Sequence, residues 1–152
     1  RISAKWRAGS WPTRRQANVE DIWLFLHLLF EQIWKYRFFY RDLNDLLTRN
    51  RVLEIHFKQI LAHKVRTATS LCEGLVTAGA MRATTDQMRA LATNMAVIAT
   101  YWLSFEYACD PRGKVESGRL GRGVYQAMAM LSPFLLGEAK GLLDKLSGEY
   151  VG

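Results

Sequence analysis

Apolar residues recur every three or four positions along most of the chain, which is the spacing of residues on one face of an α-helix. The first such run covers residues 18–37, where Asn18 is a suitable N-cap and Asp21 occupies the third helical position. Further runs follow at residues 38–47, 51–78, 85–107, 119–131 and 138–146. Together with a helical segment at residues 1–8, the pattern predicts an all-α fold, a bundle of six or seven helices joined by short connections.

Residues that are typical of helix ends separate these runs. Asn50 precedes the long run at residues 51–78, and Gly79 follows it as a helix stop. Thr84 is a good N-cap for the next run, and Gln87 stands three residues after it. That spacing predicts a capping box, in which the side chain of each residue accepts a hydrogen bond from the backbone N–H of the other.

Residues 90–105 contain no charged side chain, although 23% of the whole chain is charged. Leu91 and Met95 are expected to lie on the core side of the helix, and the smaller Ala96 and Ala99 on the opposite side. A helix that is apolar all round is central to its domain, shared with a partner or inserted in a membrane. These sixteen residues fall short of the roughly 20 needed to span a bilayer, so the first two interpretations are favoured.

The composition is typical of a folded domain, but the charge is distributed unevenly along the chain. The chain has 152 residues, of which 49% are hydrophobic, and this is typical of one folded domain. Its net charge is +7, and the first fifteen residues are basic without a single acid. Such a segment is compatible with contact to nucleic acid or another anionic surface, although solvated charge near a chain end is the commoner explanation.

No pattern in the sequence predicts catalysis, a metal site or a cofactor. His56 and His63 are seven residues apart, whereas two histidines that share a zinc ion on a helix stand at positions i and i+4. Cys72 and Cys109 are isolated, which favours reduced thiols in a cytoplasmic protein. The glycines of segment 117–123 lack the spacing of a phosphate-binding loop and instead indicate a frayed helix start or a close helix contact. We therefore expect no enzymatic activity.

The chain is rich in aromatic residues, which make up 12% of it. Many of them fall in the helical runs at residues 18–37, 38–47 and 85–107. Rings in this number either fill a well-packed core or line an apolar cavity between helices. The residues alone do not separate these two interpretations.

Four segments, in order, resemble the C-terminal domain of a TetR-type bacterial transcriptional regulator. They are FFYRDLNDLLTRN at residues 38–50, LVTAGAMR at 75–82, LATNMAVIATYWLSF at 91–105 and RGVYQAMAMLSPFL at 122–135. The first is similar to the phenylalanine-tyrosine-arginine-aspartate motif that one subfamily carries before its long helix. The resemblance extends over about residues 18–146, nearly the whole chain.

The resemblance implies a regulatory domain without its DNA-reading part. Residues 1–8 would end the helix that links the two domains of such a regulator, and residues 18–147 would form the effector-binding and dimerisation domain. The family contacts operator DNA through an N-terminal helix-turn-helix, which would precede Arg1. We therefore expect a homodimer that binds a small apolar or aromatic effector, contacts no membrane and reaches DNA only through a domain absent from this chain.

The family arrangement also implies where the two sites lie. The residues expected to contact an effector are Trp23, His27, Phe30, Trp34, Phe57, Leu61 and Tyr101. The residues expected at the dimer interface are Ala92, Ala96, Ala99, Leu103, Tyr125 and Met128.

The function implied is a repressor that is released when the effector shifts the bundle between two arrangements. Two alternatives stay open at this point. One is a stand-alone helical protein that binds a lipid or a quinone. The other is an interaction module whose rings are all packed in the core and whose interior contains no cavity.

Overall fold

The computed structural model describes residues 17–113 and 118–148, so the helix expected at residues 1–8 and the basic N-terminal segment lie outside the described residues. Within the described ranges the chain forms seven α-helices and no β-strand, which confirms the predicted all-α fold. The helices are α1 (Val19–Lys35), α2 (Arg37–Arg41), α3 (Leu43–Arg49), α4 (Arg51–Thr77), α5 (Thr85–Cys109), α6 (Gly118–Ala129) and α7 (Glu138–Ser147).

The predicted helix ends are confirmed where capping residues define them. Asn18 and Asp21 form a capping box at the start of α1, and Thr84 and Gln87 form another at the start of α5. Gly79 ends α4 with a φ of 75°. In the same turn, the N–H of Gly79 donates to the carbonyl of Val76 and the N–H of Ala80 donates to that of Leu75. This pair of hydrogen bonds is a Schellman motif.

The single helix expected at residues 38–47 is instead two short helices that meet at Asp42. The break lets α2 pack against α5 while α3 packs against α4. The predicted end of α6 at residue 131 was also too late. α6 ends at Ala129, because Pro133 lies in a short 3-10 helix at Ser132–Phe134 that turns the chain towards α7.

The most enclosed helix of the bundle is α1, not α5 as the uncharged run led us to expect. α1 packs against α4, α5, α6 and α7, and its residues Ile22, Leu26 and Ile33 are fully buried. α5 lies between α4 and α6 and also contacts α1 and α2, but one of its faces is exposed. Within the described residues, none of the helices is both long enough and apolar enough to cross a membrane.

α1, α5 and α6 approach one another closely at Gly123. A Cβ atom added there would lie 2.5 Å from the ring of Phe30 and 2.8 Å from that of Trp102. The interpretation of this glycine as the site of a close helix contact is therefore confirmed. Nearby, the guanidinium of Arg122 on α6 forms two hydrogen bonds, of 2.9 and 3.1 Å, with the carboxylate of Glu106 on α5.

Candidate functional site

A cavity of about 550 Å³ lies between α1, α2 and the first half of α4. One wall consists of Phe25, Leu28, Leu29, Gln32 and Tyr36, the last of which directly follows α1. These residues recur every three or four positions and therefore share one face of the helix. The volume falls within the roughly 300–1,000 Å³ that is usual for small-molecule sites.

α4 forms the opposite wall with Leu53, His56, Phe57, Ile60 and Lys64. Its second half belongs to the core, where the backbone N–H of Ala17 donates a hydrogen bond of 3.1 Å to the carbonyl of Gly74. In the first half, Phe57 is the one residue that is buried. α4 is therefore held to α1 near its end, while its beginning borders open space.

Three aromatic rings meet at the α2 side of the cavity. The ring of Phe39 lies 5.3 Å from that of Tyr40 and 5.5 Å from that of Phe57, and Tyr40 lies 6.0 Å from Phe57. The Phe39–Tyr40 and Tyr40–Phe57 pairs have edge-to-face geometry, which favours close packing of rings. The short helix α2 thus supplies an aromatic end wall that suits a flat or apolar molecule.

A few polar groups interrupt this apolar lining. They include Gln32, His56, the phenol of Tyr40 and the ammonium of Lys64. Burial raises the pKa of Tyr40, so its hydroxyl stays protonated and can donate a hydrogen bond. Burial also lowers the pKa of Lys64. None of the described residues that line the cavity is acidic.

A second, much smaller cavity of about 20 Å³ adjoins the first and shares Phe57, Ile60 and Lys64 with it. On its far side it is lined by Ala96 and Thr100 of α5. Only this thin space separates the wall of the large cavity from α5. The wall of the large cavity is therefore adjacent to α5.

Two of the seven residues expected to contact an effector border these cavities. Phe57 lines both, and Leu61 lines the smaller one. Tyr101 does not border either of them, since its exposed side chain donates a hydrogen bond of 3.0 Å to Asn44.

The other four, Trp23, His27, Phe30 and Trp34, lie on the opposite side of α1. Trp23 and His27 stack on each other with ring centroids 5.3 Å apart, and the guanidinium of Arg37 lies over Trp34 at 4.7 Å. Phe30 is buried in the core. Each of the four is two positions away from a residue that lines the cavity, and two positions along a helix point to nearly opposite sides. The structure therefore does not bring the expected set together in one site.

The residues expected at a dimer interface divide into two groups. Ala92, Ala99 and Met128 are buried inside the monomer, so they cannot contact a second chain while the core stays intact. All three were expected to face a partner, whereas neighbouring helices of the same chain cover Ala92 and Ala99 on α5 and Met128 on α6. The other three are partly buried, and they are Ala96, Leu103 and Tyr125.

The face of α5 that remains uncovered carries Thr93, Val97, Tyr101 and Phe105, which we call the outer face of α5. These residues are four positions apart and form one continuous stripe. Three of the four are large and apolar or aromatic, and they are exposed to solvent.

Sequence reasoning missed most of the residues that line the large cavity. A usable signal existed on α4, where Leu53, Phe57, Ile60 and Lys64 continue one helical stripe. A charged residue that continues an apolar stripe marks a place where a polar group enters an apolar environment. No comparable signal distinguishes the lining face of α1 from its opposite face, since both are apolar. In the described part of the chain, no three potential metal ligands come together.

Comparison with known protein families identifies the family to which this helical bundle belongs. The family sequence model TetR, described as a bacterial transcriptional repressor, matches residues 7–143. The chain belongs to the TetR family. A comparison with curated proteins found no match.

Among solved structures, this TetR-family chain is similar to a TetR-family transcriptional regulator from Marinobacter aquaeolei VT8. The two share 25% sequence identity and superpose with a TM-score of 0.79. The match covers 91% of this chain and 66% of the other. The chain thus spans just under two thirds of that regulator. The family and the fold are those of transcription regulators, which are generally not enzymes.

Proposed function

We propose that this chain is the regulatory domain of a TetR-family repressor, in which it dimerises and binds a small apolar or aromatic effector. The observation that carries the proposal is the cavity of about 550 Å³ between α1, α2 and α4. The cavity opens to solvent at Tyr36 and Ile60, which are 49% and 46% exposed, so a small molecule can enter it from outside. In such a repressor, operator DNA is contacted by a helix-turn-helix domain.

The proposed mechanism couples the cavity to the dimer through α5. Ala96 and Thr100 of α5 border the small cavity behind the effector site, and Val97 lies on the outer face of the same helix. An effector that fits one position of α5 better than another shifts the population between them, by no more than its difference in affinity for the two. A shift of α5 in both subunits changes the spacing of the two DNA-binding domains and releases the operator.

The second part of the proposal is that another copy of this chain covers the outer face of α5. A two-fold axis places the same surface of both subunits in contact, so one apolar stripe supplies both halves of the interface. Phe105 and Tyr101 are rings of the kind that is enriched in the buried centre of interfaces.

The effector site can be tested by filling it. Ile60 and Ile55 are both on α4 and are 46% and 45% exposed, but Ile60 lines the cavity and Ile55 does not. Ile60→Trp should weaken binding of the neutral fluorescent probe N-phenylnaphthylamine by about tenfold or more, because the larger ring occupies the probe's space. Ile55→Trp is the matched control and should bind the probe like the wild type.

The regulatory role needs a readout on DNA. In the full-length regulator, a molecule that occupies the cavity should weaken operator binding in a fluorescence anisotropy titration. The Ile60→Trp variant should bind the operator but no longer respond to that molecule. If the affinity for the operator does not change when the cavity is occupied, the proposed mechanism is refuted.

The dimer is tested with a pair of exposed valines. Val97 on the outer face of α5 is 53% exposed, and Val52 on α4 is 65% exposed. In sedimentation velocity at micromolar concentration, Val97→Glu should convert the dimer to a monomer with unchanged helix content, because a desolvated, unpaired carboxylate is unfavourable in an apolar interface. Val52→Glu should remain dimeric. A wild-type chain that sediments as a monomer would contradict the proposal.

A further inference from the structure

We infer that the effector is an amphipathic carboxylate, with one anionic group held by Lys64 and an apolar or aromatic body lying against the rings of the cavity. This inference rests on the proposed effector site and names the chemical class of its ligand.

The first observation is that Lys64 has no acidic partner among the residues that the structure describes. It lines both cavities and is half-buried, and no described carboxylate lies within ion-pair distance of its ammonium. Lys58, six residues earlier on the same helix, points to solvent instead and lies 3.0 Å from Glu54. A cation that leaves water without a partner is unfavourable, whereas a bound anion compensates for the lost hydration.

The second observation is the charge of the whole lining. The polar groups among the described lining residues are neutral or basic, and Lys64 is the one lysine or arginine among them. Burial lowers the pKa of the Lys64 amine because it disfavours the charged form. An anionic ligand beside the amine would favour the charged form again. Tyr40 and Gln32 add neutral hydrogen-bond donors to the same space.

The third observation limits the charge of the ligand. Phosphate groups are usually held by several donors, often from the planar guanidinium of arginine. No arginine is among the described residues that line the cavity, and Lys64 is the single ammonium. One ammonium in a space walled by Phe25, Phe39 and Phe57 matches one carboxylate on an apolar body.

The length of the site supports the same shape. Leu53 and Lys64 mark the two ends of the α4 wall and are eleven residues apart. A helix rises about 1.5 Å per residue, so the wall extends for roughly 16 Å. A molecule with its charge at one end can therefore contact both Lys64 and the distant apolar residues.

The test compares ligands that share one tail. Decanoate, decanol and decyl phosphate are titrated against the protein loaded with the neutral probe N-phenylnaphthylamine, and displacement of the probe gives each affinity. In the wild type, decanoate should bind at least about tenfold more tightly than decanol, since a hydrogen bond to a charged group adds affinity that the alcohol lacks. Lys64→Met should remove this preference and leave the affinity for decanol within about twofold. Lys58→Met removes a charge from the same helix and should leave all affinities unchanged.

The outcomes separate the inference from the proposed function. If N-phenylnaphthylamine and decanol bind, but decanoate gains nothing from its charge in the wild type, the carboxylate assignment is wrong and the effector site stands. Decyl phosphate binding much more tightly than decanoate would also overturn the assignment, in favour of a dianion. If the neutral probe itself does not bind, or binds equally to Ile60→Trp, the proposed effector site fails and the inference fails with it. The wild-type comparison is independent of any variant, so a poorly folded Lys64→Met protein does not decide the test.

Discussion

Gly123 is the residue whose replacement tests the packing of the bundle most directly. It lies in the middle of α6 and is buried against the rings of Phe30 and Trp102. The helix itself would accept alanine better than glycine, because alanine is favoured in a helix interior by about 1 kcal/mol. The tertiary contact opposes that gain, so the sign of the effect of Gly123→Ala depends on packing.

The expected destabilisation by Gly123→Ala follows from the distances between the added methyl carbon and the neighbouring rings. The new methyl carbon would lie 2.5 Å from Phe30 Cε1 and 2.8 Å from Trp102 Cδ1, while carbon atoms in contact normally lie about 3.5–4.0 Å apart. Phe30 is fully buried and cannot swing away. Overpacking of a core typically costs about 1–3 kcal/mol. The upper part of that range, reduced by the helix preference of alanine, predicts a net destabilisation of about 1–2 kcal/mol.

The control variant is Gly141→Ala in α7, where an added Cβ would meet no atom within 4 Å. Gly141→Ala introduces a residue that favours the helix and causes no clash, so it should stabilise the fold by about 0.5–1 kcal/mol. The two variants should therefore differ by about 1.5–3 kcal/mol. Urea unfolding followed by far-ultraviolet circular dichroism measures the difference, at one protein concentration because dimerisation contributes to stability.

Equal stabilisation by the two substitutions would refute the reasoning. It would mean that α6 does not approach α1 and α5 closely at this position. A further check on the cause is the second substitution Phe30→Leu, which should relieve part of the clash in the Gly123→Ala background. The two changes should then be clearly non-additive, as expected for residues in contact.

Three further predictions concern other parts of the bundle. Thr84→Ala should lower the free energy of unfolding by about 1 kcal/mol in urea titrations, because it removes the side-chain cap of α5, whereas the exposed neighbour Thr85→Ala should change it little. Ala99 is 1% exposed, so Ala99→Glu should unfold the chain, seen as lost helical circular dichroism, instead of only separating a dimer. Cys109 is exposed, whereas Cys72 is buried with its pKa raised to about 12, so Ellman's reagent at pH 8 should modify Cys109 rapidly and Cys72 only after denaturation.

The sequence by itself determined the helices and most of their ends. These are local matters, since an N-cap such as Asn18 or Thr84 acts within one turn and Gly79 ends α4 through its own backbone conformation. The order of the four similar segments was also visible without a structure, and it was enough to identify the family. Where local signals were weak, as at Asp42 and after Ala129, the boundaries were placed wrongly.

Only the tertiary structure decided which face of each helix meets which neighbour. α1 is apolar on both sides, so the pattern could not tell that Phe25 and Leu29 line the cavity while Trp23 and Phe30 face away from it. α5 is also apolar on more than one side, and the structure places Ala99 in the core. The physical reason is that an apolar side chain favours burial against any apolar surface, since the hydrophobic effect has no direction. The neighbouring helices therefore select the buried face, and with it the position of the site.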